Sequence, residues 1–268
     1  MAWFAARTLL AFDASSVAGA VVSRGVSGTT VRATARVALP EDTLGPSPFE
    51  PNVRRPDALA AALGELKHAL EGPDHVTLVL PHGTARIALL DVPTGTEAAD
   101  YARFRLASGL PFPVDEAIID ALPLRQGRAL AGAVRRGVVA GYEQAAADAG
   151  LSPERVDLLA LAAAAAGARE RSDSRVEVTL GDVAFSLALF ESGELVAFRT
   201  RWRDPGPGDA RRIAREADRT ARLGQGSSVS PRIRVSGPGT GEVVAALTAA
   251  GQVAEAGAEM AFLGAVAA

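Results

Sequence analysis

Cysteine is absent, lysine occurs once, and methionine, tryptophan and tyrosine occur twice each in 268 residues. Each scarcity excludes something. Without cysteine there is no disulfide framework, no thiolate metal site and no cysteine nucleophile. A Walker A loop needs a lysine after its glycines, and the single Lys67 sits within a predicted helix. The three histidines, His68, His75 and His82, fall on a helix, before a strand and in a Pro-His-Gly turn, so they are not spaced as ligands and read as solvated. No Gly-x-Ser-x-Gly elbow is present. Aromatics make up only 5% of the chain, which argues against a large aromatic cleft. No apolar run approaches the roughly 18 residues of a membrane span. "MAWFAARTLL" has no long apolar h-region, so no signal peptide is expected and the expected location is cytoplasmic. A net charge of −3 argues against a nucleic-acid binder.

What is present is apolar residue in quantity, 48% of the chain and mostly alanine and valine, enough for a full core. "LLAFDASSVAGAVV" reads as strand, Asp-Ser turn, strand, and "TTVRATARVAL" as a third antiparallel strand. Leu59, Leu63, Leu66 and Leu70 mark a helix, and "HVTLVLP" a buried strand. "TEAADYARFRLASGL" reads as a helix with Thr96 as N-cap, followed by a rigid Pro-Phe-Pro corner and a strand. "RALAGAVRRGVVAGYEQAAADAG" runs from strand into a helix stopped at Gly150, and "LSPERVDLLALAAAAAGARE" is strand then helix. After a polar break at "RERSDSR", three more strands end at "RTRW", an arginine-rich helix buries Ala210, Ile213, Ala214, Ala217 and Ala221, and "RIRVSGPGTGEVVAALTAAG" is strand, Gly-rich loop, helix. The chain thus repeats one plan: three antiparallel strands, then helices and further strands. The arginine helix also carries Asp209, Glu216 and Asp218, which reads as a solvated face, with docking of an anionic partner as the alternative.

Asp13-Ala14-Ser15-Ser16 and Leu180-Gly181-Asp182 hold the same place in the two repeats, and Ser236-Gly237-Pro238-Gly239 opens a helix. Helix N-termini and glycine-rich loops hold anions through unpaired N–H groups. Two such turns facing across a cleft would make a nucleotide site of the actin type.

The whole chain resembles the type IV pilus assembly protein PilM family of the actin-like ATPase superfamily. The resemblance lies in "ARFRLASGLPFPVDEAIIDALPL", "VVAGYEQAAADAGLSPERVDLLALA", "VEVTLGDVAFSLALFESGELVAFRTRW" and "RIRVSGPGTGEVVAAL". It implies an α/β fold of two actin-like, RNase H-like lobes, residues 1–172 and 173–268, with a small subdomain inserted in the first at about 80–124. It implies nucleotide-binding positions at Asp13, Ser15, Ser16, Gly181, Asp182, Gly237 and Gly239, with ATP and magnesium as the cofactor of an intact site.

The departures bear on that cofactor. Ser15 stands where the family's first Asp-x-Gly loop has glycine, and Thr179 where its second has aspartate. A Cβ disfavours the positive φ of a phosphate turn, and loss of the acid removes an outer-sphere magnesium partner. The family's lysine after the first loop is also missing, with Gly19 and Ala20 there instead, and the second lobe is short. No catalytic residue, no metal site and no hydrolysis are expected, and nucleotide binding is left open.

The function so implied is that of a non-catalytic scaffold binding the cytoplasmic tail of a PilN-like inner-membrane protein and coupling it to the assembly motor. Tyr101, Phe104, Leu110 and Phe112, a local concentration of large apolar residues, are the candidate partner groove. Two alternatives stand beside it: an active actin-like ATPase or kinase relative, and a GspL-like cytoplasmic domain of type II secretion. GspL-like chains continue into a transmembrane helix, and the absence of one here favours the PilM side.

Overall fold

The structure is a computed structural model, and it describes residues 6–25, 28–169, 174–224 and 231–257. The elements run β1 (Ala6–Phe12), β2 (Ser16–Gly25), β3 (Gly28–Ala38), α1 (Pro56–Leu70), β4 (His75–Leu80), β5 (Arg86–Asp91) and α2 (Ala98–Ala107). A single 3-10 turn, Val114–Glu116, precedes β6 (Ala117–Pro123), β7 (Arg128–Arg135), α3 (Arg136–Asp148), β8 (Ser152–Leu158) and α4 (Leu159–Arg169). The second half comprises β9 (Arg175–Leu180), β10 (Ala184–Glu191), β11 (Glu194–Trp202), α5 (Asp209–Ala221), β12 (Arg232–Ser236), α6 (Thr240–Ala249) and β13 (Ala254–Ala256).

The duplication read from the sequence is visible in the sheets. One has the order β3-β2-β1-β4-β8 and the other β11-β10-β9-β12-β13. In each, the first three strands form an antiparallel meander, and the last two run parallel to the first. A parallel strand needs a crossover and has both faces covered, so it is apolar throughout. The β4 sequence HVTLVL follows that rule, with Val76 to Leu80 all buried. Helix α1 turns Leu59, Leu63, Leu66 and Leu70 onto the first sheet beside α3, while Leu159 and Ala162 of α4 cover the opposite face. Gly150, at φ +71, follows the end of α3 and lets Leu151 N–H bond back to the Ala146 carbonyl, the glycine stop that was expected.

A third, three-stranded sheet, β5-β7-β6, forms the inserted subdomain. Its bounds differ from those read in the sequence. The central strand is β7, which ends at Arg135, so the insertion runs past residue 124. The alanine-rich β7 was read as part of the following strand-to-helix unit because nothing local marks which sheet a buried strand joins. Thr96 also differs from expectation: Glu97 is the N-cap of α2, and it makes no side-chain capping bond.

Alternation along β10 shows how the bodies join. Phe185, Leu187 and Leu189 face α5 and α6, while Ala188 and Phe190 face the other way and meet Leu130 of β7 and Ala164 of α4. The inserted sheet therefore packs against the second lobe through a small apolar cluster. Phe190 is its centre, fully buried, with the Arg175 guanidinium 4.7 Å from its ring and Gly167 leaving room for it. Truncation there leaves a cavity where three bodies meet. Phe190→Ala is expected to lose about 3–5 kcal/mol in urea denaturation; a loss below 1 kcal/mol would mean that the junction contributes little.

Candidate functional site

The two turns that the sequence placed at equivalent positions face each other, and they are bonded directly. The Asp13 carboxylate accepts the N–H of Asp182 at 2.9 Å on both oxygens, and the N–H of Ala14 at 2.9 Å. In return the Asp182 carboxylate accepts the Ser15 N–H at 2.8 Å and the Ser15 hydroxyl at 2.5 Å. Each turn closes on itself in the same way, Asp13 N–H to Ser16 carbonyl and Gly181 N–H to Ala184 carbonyl. The Ser15 N–H and hydroxyl and the Asp182 N–H are thus taken up by the opposite turn.

Arg203, just after β11, completes the junction. Its guanidinium donates to the carbonyls of Gly181, at 2.9 Å, and Pro238, at 3.2 Å, so it ties the second turn to the Gly-rich loop. Asp209, the first residue of α5, holds Arg203 from behind at 2.9 Å. Burial alone would raise the Asp209 pKa, but hydrogen bonds from Arg212, Arg203 and the Asp204 N–H outweigh it and hold the carboxyl below its usual range. Gly237, at φ +102, passes so close to Leu180 that a Cβ would lie 2.2 Å from its carbonyl oxygen. Gly239, at φ +82, is the N-cap of α6 and meets only the tip of Arg203.

All seven nucleotide positions, Asp13, Ser15, Ser16, Gly181, Asp182, Gly237 and Gly239, thus lie at the interlobe junction. What remains of a cleft is about 60 Å³, lined by Asp13, Ser16, Arg36, Thr179, Gly237 and neighbours. That is room for about two waters, whereas ligand sites occupy roughly 300–1,000 Å³. The residues in this arrangement do not fit ATP with magnesium. No cluster of three acidic or histidine side chains is placed to hold a metal among the described residues. The missing lysine has a packing reason: a side chain at Gly19 would run into Leu70 and Leu66 of α1.

His82 corrects the reading of all three histidines as solvated. His68 and His75 are exposed, but His82 is 2% exposed, packs beside Gly181, and neither ring nitrogen has a hydrogen-bond partner of ordinary geometry. Pro81 and Gly83 turn the chain there, and Gly181 of the second lobe lies beside the ring, a contact that no local signal reveals.

A second feature lies where the insertion meets the second lobe. A groove of about 460 Å³ is walled by Arg86 and Ile87 of β5 and by Phe198–Trp202 of β11. Both are edge strands: among the described residues β5 pairs only with β7 and β11 only with β10. Unpaired edges offer main-chain donors and acceptors to an extended peptide. Thr200 Oγ1 is buried in this wall with no hydrogen-bond partner among the described residues. Leu110 and Phe112 line the groove, Arg135 lies 5.8 Å over the Phe112 ring, and Phe49 and Trp202 are half exposed at its mouth. Of the four candidate groove residues, the fold brings in these two alone. Tyr101 packs into the small core of the insertion with Ala102 and Leu106, and Phe104, 74% exposed on α2, lies outside the groove lining.

Two lobes of identical strand order with facing turns at their junction define the actin-like ATPase fold. A solved structure of a Bacteroides thetaiotaomicron protein with that fold and unknown function is similar over 98% of this chain and 95% of that one, with TM-score 0.63 and 8% identity. The structure of a PilM–PilN type IV pilus biogenesis complex is similar over 96% of this chain and 89% of that one, with TM-score 0.77 and 21% identity. The cytoplasmic domain of EpsL, an inner-membrane component of the Vibrio cholerae type II secretion system, matches over 86% of this chain and 82% of that one, with TM-score 0.54 and 11% identity. No family profile and no curated protein matches the sequence. The resemblance to the PilM family is therefore supported at the level of the fold.

Two expectations follow from the junction. Burial, and then the neighbouring Asp182 charge, push the Asp13 carboxyl up from 3.8 to about 6. A raised native pKa gives a stability contribution that is full below pH 3.8 and lost as pH rises through about 6. Burial pushes His82 down from 6.5 to about 4, against the Thr179 backbone, so its contribution is full above pH 6.5 and lost as pH falls toward 4. In urea melts from pH 4 to 8, Asp13→Asn should steepen the acid-side loss of stability and His82→Gln should flatten it, each by at most about 1.4 kcal/mol per pH unit. Parallel profiles for both variants would contradict the assignment. Separately, Gly237→Ala should cost about 2–3 kcal/mol and Gly239→Ala about 1 kcal/mol, because only the first drives a Cβ into backbone; equal losses by thermal melting would contradict the close approach.

Proposed function

We propose that the chain is a non-catalytic scaffold of type IV pilus assembly that holds an extended cytoplasmic tail of a PilN-like inner-membrane protein. One observation carries this reading. The nucleotide cleft is closed by the Asp13–Asp182 clasp, while an apolar groove with two unpaired strand edges stands open a short way along the same junction. The similar PilM is known from a complex with PilN. A tail of a few extended residues would add its main chain to β5 or β11 and place alternate side chains against Leu110, Phe112 and Phe198. Among the described residues no helix is long and apolar enough to cross a membrane, so attachment to the inner-membrane face would come through the tail. The motor and platform components of the machine would then be reached through the bound membrane protein.

The test has two arms. Purified protein should show no magnesium-dependent ATP hydrolysis, and ATP should leave its melting temperature unchanged; turnover abolished by Asp13→Ala would restore the enzymatic alternative. A peptide of the PilN-like tail encoded in the same genome should bind, and Phe112→Glu should weaken it at least tenfold, about 1.4 kcal/mol or more. Phe104→Glu should leave affinity and stability unchanged. No binding by the wild type, or equal binding by Phe112→Glu, would overturn the groove assignment.

A further inference from the structure

Another groove lies on the second lobe, lined by none of the residues of the clasp or the tail groove. It encloses about 840 Å³ between α5 and α6. Its floor is Ala214, Ala246, Ala249 and Ala250, and its rim carries Arg211 and Arg215. The α5 arginines sort into two groups. Arg212 pairs with Asp209, Arg219 with Glu216 and Arg222 with Asp218. Arg211 and Arg215, one turn apart, have no ion-pair or hydrogen-bond partner among the described residues, and both line the groove. Gln252 bonds Asp218 at 2.7 Å and closes the far end, where Leu223 and Val253 are exposed at 44% and 70%. A concave, alanine-floored groove with two uncommitted cations fits a helix that carries acids one or two turns apart with small residues between them.

The first lobe carries such a helix. The solvent face of α1 is the stripe Asp57, Ala61, Glu65 and His68, at the i, i+4, i+8, i+11 spacing of one helical face. Asp57 and Glu65 have no ion-pair or hydrogen-bond partner among the described residues. Ala61 stands between them, and the half-buried Gly64 flanks it, so a neighbouring helix could approach closely. At about 1.5 Å rise per residue, Asp57 and Glu65 are about 12 Å apart along the axis and Arg211 and Arg215 about 6 Å, so the acids can straddle the cations.

We infer that the occupant of the α5–α6 groove is the α1 face of a second copy of this chain. The two surfaces lie on different lobes and over separate cores. The contact is therefore heterologous, and an associated pair keeps one free groove and one free ridge. Association then propagates head to tail, and a charge-matched interface of this kind weakens as salt rises.

Sedimentation velocity on the full chain tests this. At low salt the weight-average mass should rise with protein concentration, and at about 1 M salt, where screening acts within about 3 Å, it should return to the monomer. Arg211→Glu with Arg215→Glu, and separately Asp57→Arg with Glu65→Arg, should each give a monomer at every concentration. All four side chains are exposed, so circular dichroism should be unchanged in both variants. Mixing the two variants should restore association, because each then presents its altered face to an oppositely charged one. A wild type that stays monomeric at low salt overturns the inference. So does association that survives the arginine reversals, or a mixture that stays monomeric, since either would place the contact on other surfaces.

Discussion

Two carboxylates, one from each lobe, hold the junction of this molecule by bonding to the opposite turn. Asp13 accepts the Asp182 N–H, and Asp182 accepts the N–H and hydroxyl of Ser15. The exchange is reciprocal because the lobes are duplicates, and the same turn geometry occurs on both sides of the junction. Burial there, and then the neighbouring Asp182 charge, push the Asp13 carboxyl up to about 6. Hydrogen bonds from the Asp182 and Ala14 N–H groups act the other way and favour the ionised form of Asp13.

The remaining features of the junction follow from that closure. Arg203 bridges the Gly181 and Pro238 carbonyls and so ties the second turn to the Gly-rich loop. Gly237 approaches Leu180 within a distance no side chain tolerates, and His82 is buried beside Gly181. The inserted sheet is drawn against the second lobe by Leu130, Phe190 and Leu195, and this sets two strand edges, β5 and β11, on either side of an open groove. The actin-like fold here closes its interlobe junction with a clasp and leaves two strand edges flanking a groove.

Much of the fold was legible before any coordinates. Periodicity placed α1, because Leu59, Leu63, Leu66 and Leu70 can share a face only in a helix. Alternation and turn residues placed both opening meanders, and recurrence of the pattern announced the duplication. The extent of the insertion was not legible. β7 is an alanine-rich strand whose sequence is compatible with any buried sheet position, and its partners β5 and β6 are chosen by tertiary packing. Arg203 and His82 were missed for the same reason, since each owes its role to contacts with residues about a hundred positions away or across a loop.

The sequence by itself determined the chemistry available at the junction: an acid in each turn, a serine in place of one phosphate-loop glycine, a threonine in place of one acid, and a glycine-rich loop before α6. Those identities are local and survive any arrangement of the lobes. Only the tertiary structure decided that the two acids satisfy each other's turns and leave about 60 Å³ between them. It also decided that Leu110 and Phe112 line a groove while Tyr101 fills a core and Phe104 faces solvent. The physical reason is common to both. Hydrogen-bond satisfaction and apolar burial are properties of pairs of surfaces, and a linear sequence names the residues on each surface without saying which surface each will meet.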